Sequence, residues 1–173
     1  MKIESTAFTV DDVRSFMASY RDHEREVLAR RLEDVSRRLA VLAPHIGSAG
    51  SNGDGWNAHE VLAHIAVVSK FYGVLVHKIA SGQVTELDLL ESVHMRDAAG
   101  EQMAALKDEE LVKMALADQE RTIKTLRRLD AESLGRSALM SGEVTMTAEE
   151  VARLPLISHL ELHLDQLEGL LGS

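Results

Sequence analysis

The 173-residue sequence predicts a single all-α domain over residues 1–173, a bundle of four principal helices with one shorter, weaker helix. Three observations carry this. Ala, Leu, Glu, Arg and Met dominate, β-branched and aromatic runs are scarce, and there are only two prolines. Apolar residues recur at steps of three and four along most of the chain. Each predicted helix therefore has one apolar stripe to bury, and a bundle buries all of them together.

The first helix is predicted over residues 11–43. Leu28, Leu32, Val35, Leu39 and Leu42 alternate steps of four and three, while Arg30, Arg31, Glu33, Asp34, Arg37 and Arg38 occupy the other faces. Pro44 and the glycine-rich stretch from Gly47 to Gly55 end it, predicting a flexible loop. Asn57 has the chemistry of a helix cap, with Glu60 three residues later as in a capping box. The second helix then runs through Val61, Ile65, Val68, Tyr72, Leu75 and Ile79, stopping near Ser81 and Gly82.

Residues 85–107 read as the weaker helix, with Leu87, Leu90, Val93 and Leu106 as core candidates. Residues 108–130 are more regular, with Leu111, Ala115, Thr122, Leu126 and Leu129 at helical spacing. Gly135, Ser141 and Gly142 loosen residues 131–146, which fit an irregular loop or one short hairpin. The last helix starts after Thr147 and places Leu160, Leu164, Leu167 and Leu171 on one line. Pro155 falls inside it and predicts a kink or a restart, because proline has no N–H and crowds the preceding turn.

Composition bounds the chemistry. With no cysteine there is no disulfide, no thiolate nucleophile and no cysteine-bound zinc or iron–sulfur cluster. Twenty-eight acidic against nineteen basic side chains give a net charge of −9, which argues against nucleic-acid binding. The pairs Arg30-Arg31, Arg37-Arg38 and Arg127-Arg128 lie among acids and read as solvated helix faces without an aromatic platform. The N-terminus carries carboxylates where a secretory signal needs an apolar core, and no apolar stretch approaches the ~18–20 residues that span a bilayer. The expectation is a cytoplasmic protein without a membrane partner.

Eight histidines remain. His159 and His163 are four apart on the last helix, a spacing that lets two imidazoles converge on one metal ion. Glu161 follows the first of them by two positions, about 200° around the helix, which fits a solvent-facing residue and not the general base of a zinc protease. His64 shares a face with Val61, Val68, Phe71 and Leu75 and points toward the interior. Three semi-buried histidines on two helices need polar partners. A shared metal would satisfy them together; separate hydrogen bonds to three packed histidines are the alternative. His23, His45, His59, His77 and His94 read as surface or boundary residues, with His59 nearest the site mouth. Glu60 is a candidate general base, although its position favours the cap. Trp56 suits either a pocket mouth or a staple between loop and core, and Gln166 either a hydrogen bond near the site or a helix boundary.

Trp56-Asn-Ala-His-Glu60-Val-Leu-Ala-His64 resembles the second-helix signature of the DinB-like (damage-inducible) four-helix-bundle superfamily. His159-Leu-Glu-Leu-His163-Leu-Asp-Gln166 resembles that family's last helix, which ends in a His-x-x-Gln pattern. The resemblance covers roughly residues 56–171, the first helix matching only in length and amphipathicity. It implies an up-down-down-up bundle in which His64, His159 and His163 bind a divalent ion, commonly zinc or nickel. Relatives include thiol-dependent transferases and the N-terminal domains of maleylpyruvate isomerases, which use bacillithiol, mycothiol or glutathione. A chain without cysteine needs an external thiol for such chemistry. The expectation is thus a metal-dependent thiol S-transferase or isomerase acting on small electrophiles. A non-catalytic metal-binding or stress-response bundle and a metal-free interaction module are the competing readings. The long first helix also suggests a homodimer, unless its stripe is spent inside the monomer.

Overall fold

The computed structural model describes residues 9–48, 55–88, 91 and 99–172. Helix α1 spans Val10–Leu42, and Thr9 and Asp12 cap it reciprocally. Its ladder stops where Pro44 has no N–H to offer, and Ala43–Ser48 tightens into a 3-10 helix. Most of the glycine-rich loop expected after it lies outside the described residues, as do Leu90, Val93 and His94. Helix α2, Ala58–Ala80, begins at Asn57 and helix α3 covers Asp108–Arg128. A single turn, α4 (Ala131–Leu134), leads into strands β2 (Ser137–Met140) and β3 (Val144–Thr147). The last helical run comprises α5 (Ala148–Val151), a π-helical segment Ala152–Ser158, and α6 (His159–Gly172).

The sequence expectation for residues 85–107 is corrected in part. Glu86–Leu87 forms strand β1, and residues 99–103 are helical. The hairpin alternative for residues 131–146 holds: β2 and β3 pair antiparallel around Ser141 and Gly142, whose positive φ angles of 49° and 72° turn the chain. Strand β1 joins β2 in parallel to complete a three-stranded sheet that local pattern did not foretell. Two residues are too few for a period-2 pattern, and the pairing joins segments about fifty residues apart in the chain.

Side-chain pairings set the helix directions. On α1 and α3, Arg25 bonds the Leu129 carbonyl and Ser36 bonds Gln119, so these helices are antiparallel. On α1 and the last run, Arg31 meets Glu161 and Arg38 meets Asp165, so these are parallel. His59 reaches Asp108 and Ser69 reaches Gln119, which makes α2 and α3 parallel. The order is therefore up-down-down-up, with α1 and α2 each packed on both α3 and the last run. Of the arginines read as solvated, Arg31, Arg38 and Arg127 instead tie neighbouring helices together. Such partly exposed pairs orient helices more than they stabilise them.

The core forms where the predicted stripes meet. Leu28, Leu32 and Leu39 of α1, Leu111 and Leu126 of α3, and Leu160, Leu164 and Leu167 of α6 are fully buried. Helix α2 lies between α3 and the last run and is buried on most of its circumference. For α2 the sequence expectation about membrane-spanning length is corrected. By length and composition this helix is apolar enough to cross a bilayer, with mean hydropathy 1.3, but 56% of that window is buried inside the bundle. Its apolarity is accounted for by packing on two neighbours. At its centre the buried Gln119 accepts from Ser36 and donates to Ser69, linking three helices through one amide.

Candidate metal centre

The site is built from two segments far apart in the chain, the start of α2 and the start of α6. Helix α2 starts at Asn57, whose side chain accepts from the Glu60 N–H at 3.0 Å while the Glu60 carboxylate accepts from the Asn57 N–H at 2.8 Å. Glu60 is exposed and acts as a cap, the role its position favoured. One turn further, His64 is half-buried on the face that packs against the last run. There Pro155 falls in the π-helical segment Ala152–Ser158, a widened turn that relieves the ring's crowding of the preceding carbonyl. The helix does not break. It resumes α geometry at His159, and Leu156 within the widened turn and Leu160 after it both stay buried.

His64, His159 and His163 come together, each half-buried, with their candidate ligand atoms within 4.8 Å of one another. The Nε2 atoms of His64 and His159 are 3.2 Å apart. The edge of a tetrahedron of nitrogens around zinc is about 3.3 Å, so this pair already has the spacing of two ligands. His163 Nδ1 donates to Gln166 Oε1 at 2.9 Å, because an amide oxygen can only accept. With Nδ1 engaged by the amide, Nε2 is the ring nitrogen left to meet a metal. Trp56 covers the group from outside: it stacks on His163 at 5.9 Å and 18°, tilts against His64 at 4.9 Å, and remains 44% exposed. Its place is at the mouth of the site. The donor set, three imidazoles with one ring already held by an amide, fits a divalent transition metal.

Other expected residues sit elsewhere. Glu161 was expected to face solvent; it is half-buried and accepts from Arg31 Nε and Nη2 at 3.0 and 2.6 Å. α1 runs alongside this face of α6, so the carboxylate neutralises an arginine and has no part in the triad. His23, His45 and His77 are exposed, as expected. His59 does not approach the mouth. Its Nδ1 lies 2.5 Å from Asp108 Oδ1 and its Nε2 lies 2.8 Å from the Ala104 carbonyl, so it fastens α2 to the start of α3. Tyr72, whose ring centre is 6.4 Å from His159, is a neighbour that sequence reasoning missed. It comes eight residues after His64, about 80° around the helix, which placed it on the adjoining face. An apolar cavity of about 430 Å³, lined by Phe71, Leu75 and Met103 among others, opens along α2, and none of the three histidines lines it.

Both acceptors around His59 demand a donor, which holds the ring as the imidazolium. The Asp108 carboxylate first, and the Ala104 carbonyl second, raise its pKa above 6.5. With the folded pKa raised, the stabilisation is complete below the unfolded value and is lost as pH rises through the folded one. The stability difference between the wild type and His59→Gln is expected to be largest near about pH 5 and to shrink toward about pH 8. Urea unfolding at a series of pH values checks this; a pH-independent difference would overturn it.

Comparison with known proteins agrees with this architecture. A family model described as the DinB superfamily matches residues 20–167. The crystal structure of a mycothiol-dependent maleylpyruvate isomerase superposes with a TM-score of 0.66 at 20% identity, covering 84% of this chain and 60% of that one. A histidine-to-alanine mutant of that enzyme gives the same values. The chain thus spans 60% of the length of the enzyme it resembles. No curated protein matches the sequence. The family model matches residues 20–167, most of this up-down-down-up bundle, and the chain belongs to the DinB superfamily.

Proposed function

We propose that His64, His159 and His163 hold one divalent ion, zinc or nickel, and that the protein is a metal-dependent thiol S-transferase or isomerase for small electrophiles. The observation that carries the metal is the convergence of three ring nitrogens, two of them 3.2 Å apart, in a half-buried site. Support for thiol chemistry comes from the likeness to a mycothiol-dependent enzyme together with the absence of cysteine, which requires the sulfur to come from outside. When bound, such an ion lowers the pKa of a thiol so that a nucleophile exists at neutral pH.

The chain's own residues prepare the place. Gln166 holds the His163 ring, the π-helical segment carries the last run through Pro155 up to His159, and Trp56 limits access from solvent on one side. Glu60 is engaged at the helix start, so we assign it no proton transfer. The reading places the protein in the cytoplasm, where low-molecular-weight thiols are supplied, with no nucleic-acid or membrane partner. Its homodimer would form on the first turns of α1. The stripe from Leu28 to Leu39 is spent inside the monomer, but Val10, Val13, Phe16 and Tyr20 remain exposed beyond it.

The test is metal analysis after reconstitution, followed by thiol consumption with mycothiol and glutathione against a model electrophile, and by isomerisation of maleylpyruvate. Metal-dependent loss of thiol, or turnover of maleylpyruvate, is the expected result. Bound metal without either reaction would replace this reading with a non-catalytic metal-binding or stress-response bundle. Absence of bound metal would leave a metal-free interaction module.

A further inference from the structure

We propose that the groove between α2 and α3 binds a small polyanion that carries phosphate groups. This groove lies on the α3 side of α2, away from the histidines, and does not depend on the metal. It has a volume of about 400 Å³, in the range of small-molecule sites. Lys70 and Lys78 line it from α2, and Arg121, Lys124 and Arg128 from α3. Only one lining residue, Asp118, is acidic. A chain of net charge −9 thus gathers five of its nineteen Lys and Arg residues in one groove.

Helical phase and a close approach produce this grouping. Lys70 and Lys78 are eight apart, and Arg121, Lys124 and Arg128 follow at three and four, so each set stays on one face. The two helices run parallel and touch where a Cβ on Gly73 would overlap the Thr122 hydroxyl, which holds the two cationic rows beside each other. Last-turn cations such as Lys78 and Arg128 offset the helix dipole. Lys70 and Arg121 lie well before their helix ends, beyond the last turn over which the dipole acts.

Neighbouring acids pair with only two of the five cations. Arg121 pairs with Asp118 and Lys124 with Glu120, each within its own helix. Lys70, Lys78 and Arg128 make no ion pair among the described residues. Like charges this close repel unless an anion sits among them, and ammonium and guanidinium groups together recognise phosphate oxygens. His77 and Gln83 add polar groups to the lining. No Phe, Tyr or Trp lines the groove as a platform for bases, and its volume suits a compact ligand instead of a polymer.

Inorganic pyrophosphate and triphosphate are the probes, titrated into the full chain and followed by two-dimensional amide NMR. This readout locates binding and separates it from chelation of metal elsewhere. Saturable shifts centred on Gly73 and Thr122 are expected. Lys70→Gln, Lys78→Gln and Arg128→Gln are each expected to weaken binding about tenfold. Lys113→Gln, outside the groove, leaves it unchanged. No saturable shift at these residues, or affinities indifferent to the three groove variants, would overturn the proposal. So would a DNA duplex that binds more tightly than triphosphate through the same residues. Because the histidines are untouched, metal content in all variants should match the wild type, so failure here leaves the metal reading standing.

Discussion

Alanine in place of His64, His159 or His163 is expected to abolish stoichiometric binding of zinc or nickel. Each ring supplies one of the three candidate donors grouped among the described residues, and these already lie within 4.8 Å of one another. Groups that merely orient a ligand are worth about ten- to a hundredfold in affinity, so losing a ligand should cost at least about a hundredfold. Gln166→Leu tests the lesser effect: without its acceptor the His163 Nδ1–H is no longer held, and affinity should fall about ten- to a hundredfold. Glu60→Gln should leave affinity unchanged, because that carboxylate is bonded to the Asn57 N–H. Metal bound at a hundred times its dissociation constant stabilises the fold by about 2.7 kcal/mol. For a chain of this length that raises Tm by roughly 5–10 °C. Calorimetric titration and melting with and without metal give both numbers. Unchanged metal affinity in the three alanine variants would refute the assignment.

Leu160→Ala is expected to produce the largest loss of stability from a single change in the last helix. The side chain lies between the two site histidines in sequence, is turned about 60–100° away from them around the helix, and is fully buried in the core. Removing it leaves a cavity, costing about 2–5 kcal/mol out of a total that is typically about 5–15. Leu162, two residues on, is 64% exposed, and its replacement by alanine should change stability by no more than about 0.5 kcal/mol. Urea unfolding of the two variants measures the contrast. Metal stoichiometry should survive in both, because neither side chain belongs to the histidine group. Equal losses would mean that the helical phase of this segment is wrong.

Most helices could be read from the chain because their signals are local. The stripe from Leu28 to Leu39, the Asn57–Glu60 box and the Thr147–Glu150 box each lie within a few residues, and all occur where periodicity put them. The segment over residues 85–107 was misread in part because β1 exists only through its partner on β2. Arg31 was read as solvated for the same kind of reason: its partner Glu161 is 130 residues away. His59 was placed near the mouth from its distance to His64 along the helix, yet Asp108 and Ala104 hold it on another side.

The sequence by itself determined the all-α class, the caps, the buried stripes and the three histidines that face inward, since propensity and periodicity act over single helical turns. The tertiary structure decided what those histidines meet. Their rings come from helices ninety-five residues apart in the chain, and they meet because α2 packs against the last run, which stays helical through Pro155 by way of a π-helical segment. It also decided that Glu60 is a cap, that Glu161 answers Arg31, and that five cations share one groove. Each of these depends on which helix lies beside which, and that is set by burying all the stripes at once.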